Sequence, residues 1–149
     1  MDNFERHENK GRRKLEAIFN SSDKVAKYEF TTGKFDRLDC FTTGYSGNLT
    51  AYEIKDRDIS STLYPDYILE VPKYKALMAA YDDGYTPYYI NFFADNTVIL
   101  WDVSKIDITN RVIKKPCTRT TAENYGNRVE KEVVLLRPEE GRRIKVQFN

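Results

Sequence analysis

Histidine is nearly absent: one residue, His7, in a chain of 149. A single imidazole inside the charged stretch Asn3–Lys10 makes Ser-His-Asp, Cys-His and His-based metal nuclease mechanisms poor candidates. Cysteine is scarce too. Cys40 and Cys117 lie far apart with no second Cys or His nearby, so neither a zinc module nor a disulfide framework is indicated. Long apolar runs are missing. With 40% hydrophobic residues and a mean hydropathy of −0.66, nothing approaches the roughly 20 apolar residues that span a bilayer. The first residues, Met1-Asp2-Asn3-Phe4-Glu5-Arg6, carry charge where a secretory leader would be apolar, and the expected compartment is the cytoplasm.

What remains is charge and oxygen. The chain holds 23 Asp and Glu against 24 Lys and Arg, a formal net charge of +1. Any chemistry therefore falls to carboxylates and lysines. From Lys105 onward, 11 basic residues face 6 acidic ones, so residues 105–149 read as a basic C-terminal extension of one domain spanning 1–149. Lys114, Lys115 and Arg119 in that stretch, with Arg128, Arg142 and Arg143, are candidates for phosphate contact or for simple solubility.

The apolar pattern is mixed. Phe4, Gly11, Leu15 and Ile18 follow helical spacing over Asn3 to Asn20, with Arg12-Arg13-Lys14 expected to face outward. Strands are expected over Val25 to Thr32, Arg37 to Thr43 and Leu49 to Asp56, the last two joined by the glycine-punctuated link Gly44-Tyr45-Ser46-Gly47-Asn48. Pro72 opens a second helix whose apolar face is Tyr74, Leu77, Met78 and Tyr81. Tyr88 to Phe93 and Thr97 to Val103 form a second hairpin, Asn110 to Asn127 reads as irregular, and Val133 to Leu136 and Ile144 to Phe148 are late strands. The aromatic run from Tyr85 to Trp101 is read as core before it is read as a stacking surface. Helices alternating with hairpins predict an α/β (α+β) layer with a central mixed sheet flanked by helices.

The Glu53-Ile54-Lys55 triplet is one of two Glu-x-Lys occurrences, the other being Glu8-Asn9-Lys10, and its position separates it. On a strand Glu53 and Lys55 share a face. A hairpin centred on Ser46 sets Asp39 opposite Glu53 and Phe41 opposite Ala51. Two carboxylates that close call for a positive group between them, either Lys55 or a divalent cation such as Mg²⁺. The bland alternative is an exposed charge ladder that Lys55 neutralises. Asp36 would replace Asp39 only in a shifted register, where its parity sets it against Asp56.

In this order the chain resembles the PD-(D/E)XK nucleases, the restriction-endonuclease-like superfamily that includes Holliday-junction resolvases. The resemblance covers about Leu15 to Val103. Asp39 matches the acidic position and Glu53-Ile54-Lys55 the Glu-x-Lys, while Glu16 matches an acid often found on the first helix and Lys73 a base sometimes carried by the next. Leu38 stands where the motif's Pro falls, and the literal Pro65-Asp66 follows the Glu-x-Lys out of order. The resemblance implies a restriction-endonuclease-like core and an Mg²⁺- or Mn²⁺-dependent endonuclease acting on DNA. Asp39, Glu53 and the Ile54 carbonyl would be metal ligands, Lys55 the catalytic partner, Glu16 an auxiliary acid and Lys73 a nucleic-acid contact. It leaves a homodimer open and involves no membrane. The alternative is a non-catalytic nucleic-acid-binding or protein-interaction module on the same fold.

Overall fold

The computed structural model describes residues 3–32, 37–118 and 128–148. Helix α1 (Asn3–Ser21) buries Gly11, Leu15 and Phe19, four residues apart, as one stripe. Gly11 permits close approach to the sheet, since a Cβ there would stand 2.8 Å from Ile54 Cγ2. Three antiparallel strands follow, β1 (Val25–Phe30), β2 (Cys40–Gly44) and β3 (Leu49–Arg57). The β2–β3 link turns through Gly47 at φ 86°, a left-handed conformation that glycine adopts without strain.

After β3 the chain forms β4 (Tyr67–Glu70) and passes directly into α2 (Val71–Asp82), with Pro72 in its first turn. Gly84, at φ 97°, then lets the chain enter β5 (Tyr85–Phe93), which runs parallel to β3. β5 pairs with β6 (Thr97–Asp102), and β6 with β9 (Arg142–Lys145). The six-stranded mixed sheet has the order β1-β2-β3-β5-β6-β9. A second, three-stranded sheet places β8 (Arg128–Leu136) between β4 and β7 (Val112–Thr118). The fold is thus α+β with a mixed sheet and two helices, and among the described residues no helix is long and apolar enough to cross a membrane.

Two expectations need correction. Residues 112–118, expected to be irregular, form β7; the strand hides from a periodicity test because Val112, Ile113, Lys114, Lys115 and Pro116 are all exposed at the sheet's edge. Arg12 and Lys14 do not face outward as Arg13 does. They flank the buried Gly11/Leu15 stripe and reach inward to carboxylates.

Strand alternation gives the large sheet two apolar faces. On one, Leu15 and Phe19 of α1 meet Cys40, Ile90, Phe92 and Val98. On the other, Leu77 and Ala80 of α2 meet Ala51, Tyr89, Phe93, Ile99 and Trp101, joined by Leu69, Val134 and Leu136 of the small sheet. Burying a side chain such as Phe92 or Leu77 contributes about 1.5–3 kcal/mol. The aromatic run is therefore core, as Trp101, fully buried, illustrates by donating its Nε1–H to the Arg137 carbonyl at 2.8 Å.

Candidate functional site

The β2–β3 hairpin sets the geometry. Its ladder pairs Thr43 with Leu49, Thr42 with Thr50, Phe41 with Ala51 and Cys40 with Tyr52, the register that a turn centred on Ser46 requires. At Cys40 the ladder stops. The Asp39 N–H still donates to the Tyr52 carbonyl at 3.0 Å, and the Asp39 carboxylate bends over the strand end so that Oδ2 accepts the Ile54 N–H at 2.8 Å. Because the N–H and C=O of one strand residue point to the same side, the Ile54 carbonyl is also directed past the end of β2, beside Asp39. Asp39 and Glu53 thus meet just beyond the last ladder pair.

Alternation puts Ala51, Glu53, Lys55 and Arg57 on the α2 face and Tyr52, Ile54 and Asp56 on the α1 face. Glu53 is 7% exposed. Its Oε2 stands 3.3 Å from the Lys73 ammonium, while Oε1 is enclosed with no hydrogen-bond partner. Burial first, and the Asp39 charge second, push the Glu53 carboxyl well above the usual carboxylate range, against a smaller pull from Lys73. Lys73 also donates to the Arg37 carbonyl at 2.9 Å. Its place at the start of α2 therefore makes it the counter-cation of Glu53.

Lys55 is an exposed residue on the same face as Glu53. Among the described residues it has no hydrogen bond and no carboxylate at ion-pair distance. Protein packed around the ammonium, and then the nearby Arg57 charge, lower its pKa from the ordinary lysine value; Glu70 and Glu53 oppose this more weakly. A lysine of lowered pKa with no hydrogen-bond or ion-pair partner among the described residues, beside a carboxyl of raised pKa, is an arrangement typical of functional sites.

Glu16 does not join the group. It accepts a hydrogen bond from the Tyr28 hydroxyl at 2.9 Å, and Tyr28 packs with the α1-face cluster. The α1 residue that reaches the acid pair is Arg12, one turn earlier and of opposite sign, with Nη2 3.6 Å from Asp39 Oδ1. Arg12 is anchored by Glu8 at 3.1 Å, by the Thr31 carbonyl at 2.6 Å and by the Phe30 ring. Lys114 and Lys115 sit on β7 in register with Glu132 and Lys131. Arg119 and Asp36 lie outside the described residues. Cys40 is fully buried, and burial pushes its thiol up to about 12.

Sequence reasoning passed over Arg12, Arg57 and Asn91. Asn91 had a legible signal, a lone amide inside the apolar run Tyr88-Tyr89-Ile90-Asn91-Phe92-Phe93. Arg57 had one as well, the same parity as Glu53 and Lys55.

A second acidic group lies on the α1 face, where His7, Asp56 and Asp58 converge at distances compatible with metal ligation. Protein cations already serve it: Lys14 is 2.8 Å and Lys10 3.6 Å from Asp56, and Lys10 is 3.4 Å from Asp58. Protein cations also stand against the Asp39–Glu53 pair, Arg12 and Lys73, but there an enclosed carboxylate oxygen lacks any partner, the bonding capacity that a hard divalent cation would use. No family model matches the chain, and no curated protein or solved structure matches it.

Proposed function

We propose that this protein is a divalent-metal-dependent endonuclease of the PD-(D/E)XK type, on a restriction-endonuclease-like core, hydrolysing phosphodiester bonds in DNA. The observation that carries the reading is the Glu53 carboxyl, buried beside Asp39 with one oxygen unbonded and an unpaired Lys55 two residues on along the same face. The order helix, strand, hairpin, helix and hairpin, with the short β4 inserted before α2, supports it, because the resemblance runs over helix, strand, acidic hairpin, helix and hairpin.

Asp39, Glu53 and the Ile54 carbonyl would hold Mg²⁺ or Mn²⁺, which when bound supplies positive charge at the scissile phosphate and a more acidic water. The Ile54 N–H orients Asp39 by its bond to Oδ2. Glu53 must give up its proton to act as a ligand, and Lys73 stands ready to hold the resulting charge. Lys55 Nζ, with no partner among the described residues, orients the attacking water or stabilises the charge that develops on the phosphate. The two exposed lysines of β7, Lys114 and Lys115, add ground-state attraction to the nucleic acid.

Calorimetric titration with Mn²⁺ tests the reading. Weak binding is expected, with protons released in proportion to the Glu53 fraction still protonated, and Asp39→Ala and Glu53→Ala should each abolish it. Equal binding by all three proteins would remove the site.

A second reading is a non-catalytic nucleic-acid-binding or protein-interaction module. Arg12 and Lys73 favour it, since two protein cations already stand against the acid pair at 3.6 and 3.3 Å. Under this reading Mn²⁺ does not bind and the cluster is a structural ion-pair network.

A further inference from the structure

The α2 face of β3 carries a second feature that the carboxylates do not explain. Arg57 follows Lys55 by two residues, so both cations project from the same face about 6.6 Å apart along the strand. Among the described residues, Arg57 is held by neutral groups alone. Its Nε donates to Asn91 Oδ1 at 2.5 Å, its Nη2 to the Ile68 carbonyl and the Tyr89 hydroxyl at 3.2 Å each, and its guanidinium lies 5.2 Å from the centre of the Tyr67 ring. Among the described residues no carboxylate pairs with it, and Nη1 is neither hydrogen-bonded nor enclosed.

Asn91 makes this arrangement unusual. It is fully buried, and in the parallel ladder it lies beside Lys55. Its oxygen is committed to Arg57, which fixes the amide orientation, and the amide nitrogen then has no acceptor. A buried amide of this kind is an expensive way to fill a core position that Leu could occupy. The nearby Lys131 has its own counterion, Glu70 at 2.7 Å. Two cations and one amide donor thus share a face, and among the described residues no carboxylate stands at ion-pair distance from either cation.

We propose that Lys55 and Arg57, the latter positioned by the buried Asn91, form an anion subsite that takes a phosphate group. The planar guanidinium offers its free Nη1 edge to one phosphate oxygen and the ammonium contacts another, the charge-assisted geometry that phosphate favours. The proposal deepens the nuclease reading by giving the substrate's phosphate a place beside the acid pair. It requires no cleavage of its own.

The test is a titration of the full chain with inorganic phosphate, followed by ³¹P and side-chain ¹H–¹⁵N NMR. The wild type should bind saturably, with shifts at the Asn91 amide and the Arg57 Nε–H. Lys55→Gln and Arg57→Gln should each weaken binding about tenfold or more, while Arg13→Gln, exposed on α1, binds as wild type. Lys55→Gln removes no hydrogen bond, so it reports even if Arg57→Gln fails to fold. Asn91→Asp keeps an acceptor for Arg57 and adds a fixed anion; it should abolish phosphate binding without lowering stability, an outcome that a merely structural Asn91 would not give. Competition between phosphate and a short single-stranded DNA assigns the subsite to nucleic-acid phosphate, and phosphate binding without competition assigns it to free phosphate groups. No saturable binding, or unchanged affinity in Lys55→Gln, Arg57→Gln and Asn91→Asp, overturns the proposal. Phosphate binding without DNA cleavage keeps the subsite and removes the nuclease, whereas cleavage with unchanged phosphate affinity in Lys55→Gln does the reverse.

Discussion

On the α1 face of β3 the Asp56 carboxylate, 1% exposed, meets Lys14 at 2.8 Å, His7 at 3.2 Å and Lys10 at 3.6 Å. On the α2 face of the same strand the Glu53 carboxyl, 10% exposed, meets Lys73 alone at 3.3 Å and leaves an oxygen unbonded. The two acids are three positions apart on one strand, and as whole residues both are buried. Lys10 and Lys14, one helical turn apart on α1, bring positive charge to Asp56, and Lys14 is further held over Phe92 and Phe148. The desolvation of Asp56 is offset within the fold, and the result is a clamp between helix and sheet. Glu53 is not offset in this way, so its proton is held more tightly and the site is left with unmet bonding capacity. Compensation marks the structural face, and its lack marks the face on which the proposed function places its chemistry.

The largest effect that would break this contrast comes from Asp56→Ala. Removing it strands Lys14 in the interior, with an expected loss of roughly 3–5 kcal/mol in urea unfolding. A loss no larger than that of an exposed carboxylate would show that the α1 face is not clamped by charge. Glu53→Gln should behave in the opposite way. Because the folded-state pKa of Glu53 lies above its unfolded value, its contribution to stability is complete below about pH 4.5 and is lost as pH rises through the raised folded value. The wild type should therefore lose stability between acid and neutral pH relative to Glu53→Gln, and parallel pH profiles for the two proteins would refute the raised pKa. Smallest of all, Lys55→Ala should change stability by less than about 0.5 kcal/mol, since the exposed side chain makes no direct bond among the described residues. A larger loss would mean that Lys55 is structural.

The contrast was partly legible in the sequence. The five-residue glycine link fixed the β2–β3 register, and with it the shared face of Glu53 and Lys55, because strand periodicity leaves no freedom once a turn is centred. Helical periodicity located α1 but did not separate Glu16 from Arg12. Both lie near the buried stripe, and only the packing of α1 on the sheet decides which one reaches Asp39. β4 escaped notice because four residues between Pro65 and Pro72 carry little local signal, and its pairing with β8 spans more than sixty residues of chain. β7 escaped because an exposed edge strand needs no apolar alternation, and its Pro116 is tolerated only at such an edge. The orphaned atoms of Glu53 and Asn91 depend on three-dimensional neighbours that no local pattern records.

The central claim, that the α2 face of β3 performs metal-dependent phosphodiester hydrolysis with Lys55 as its unpaired cation, is tested most directly by cleavage of plasmid DNA in Mg²⁺ or Mn²⁺ by the wild type and by Lys55→Ala. The account predicts nicking or linearisation by the wild type, its loss in EDTA, and a drop of at least about 100-fold in Lys55→Ala with DNA affinity nearly unchanged. Cleavage by Lys55→Ala at the wild-type rate, or no cleavage of any DNA form by the wild type with either metal, would contradict it.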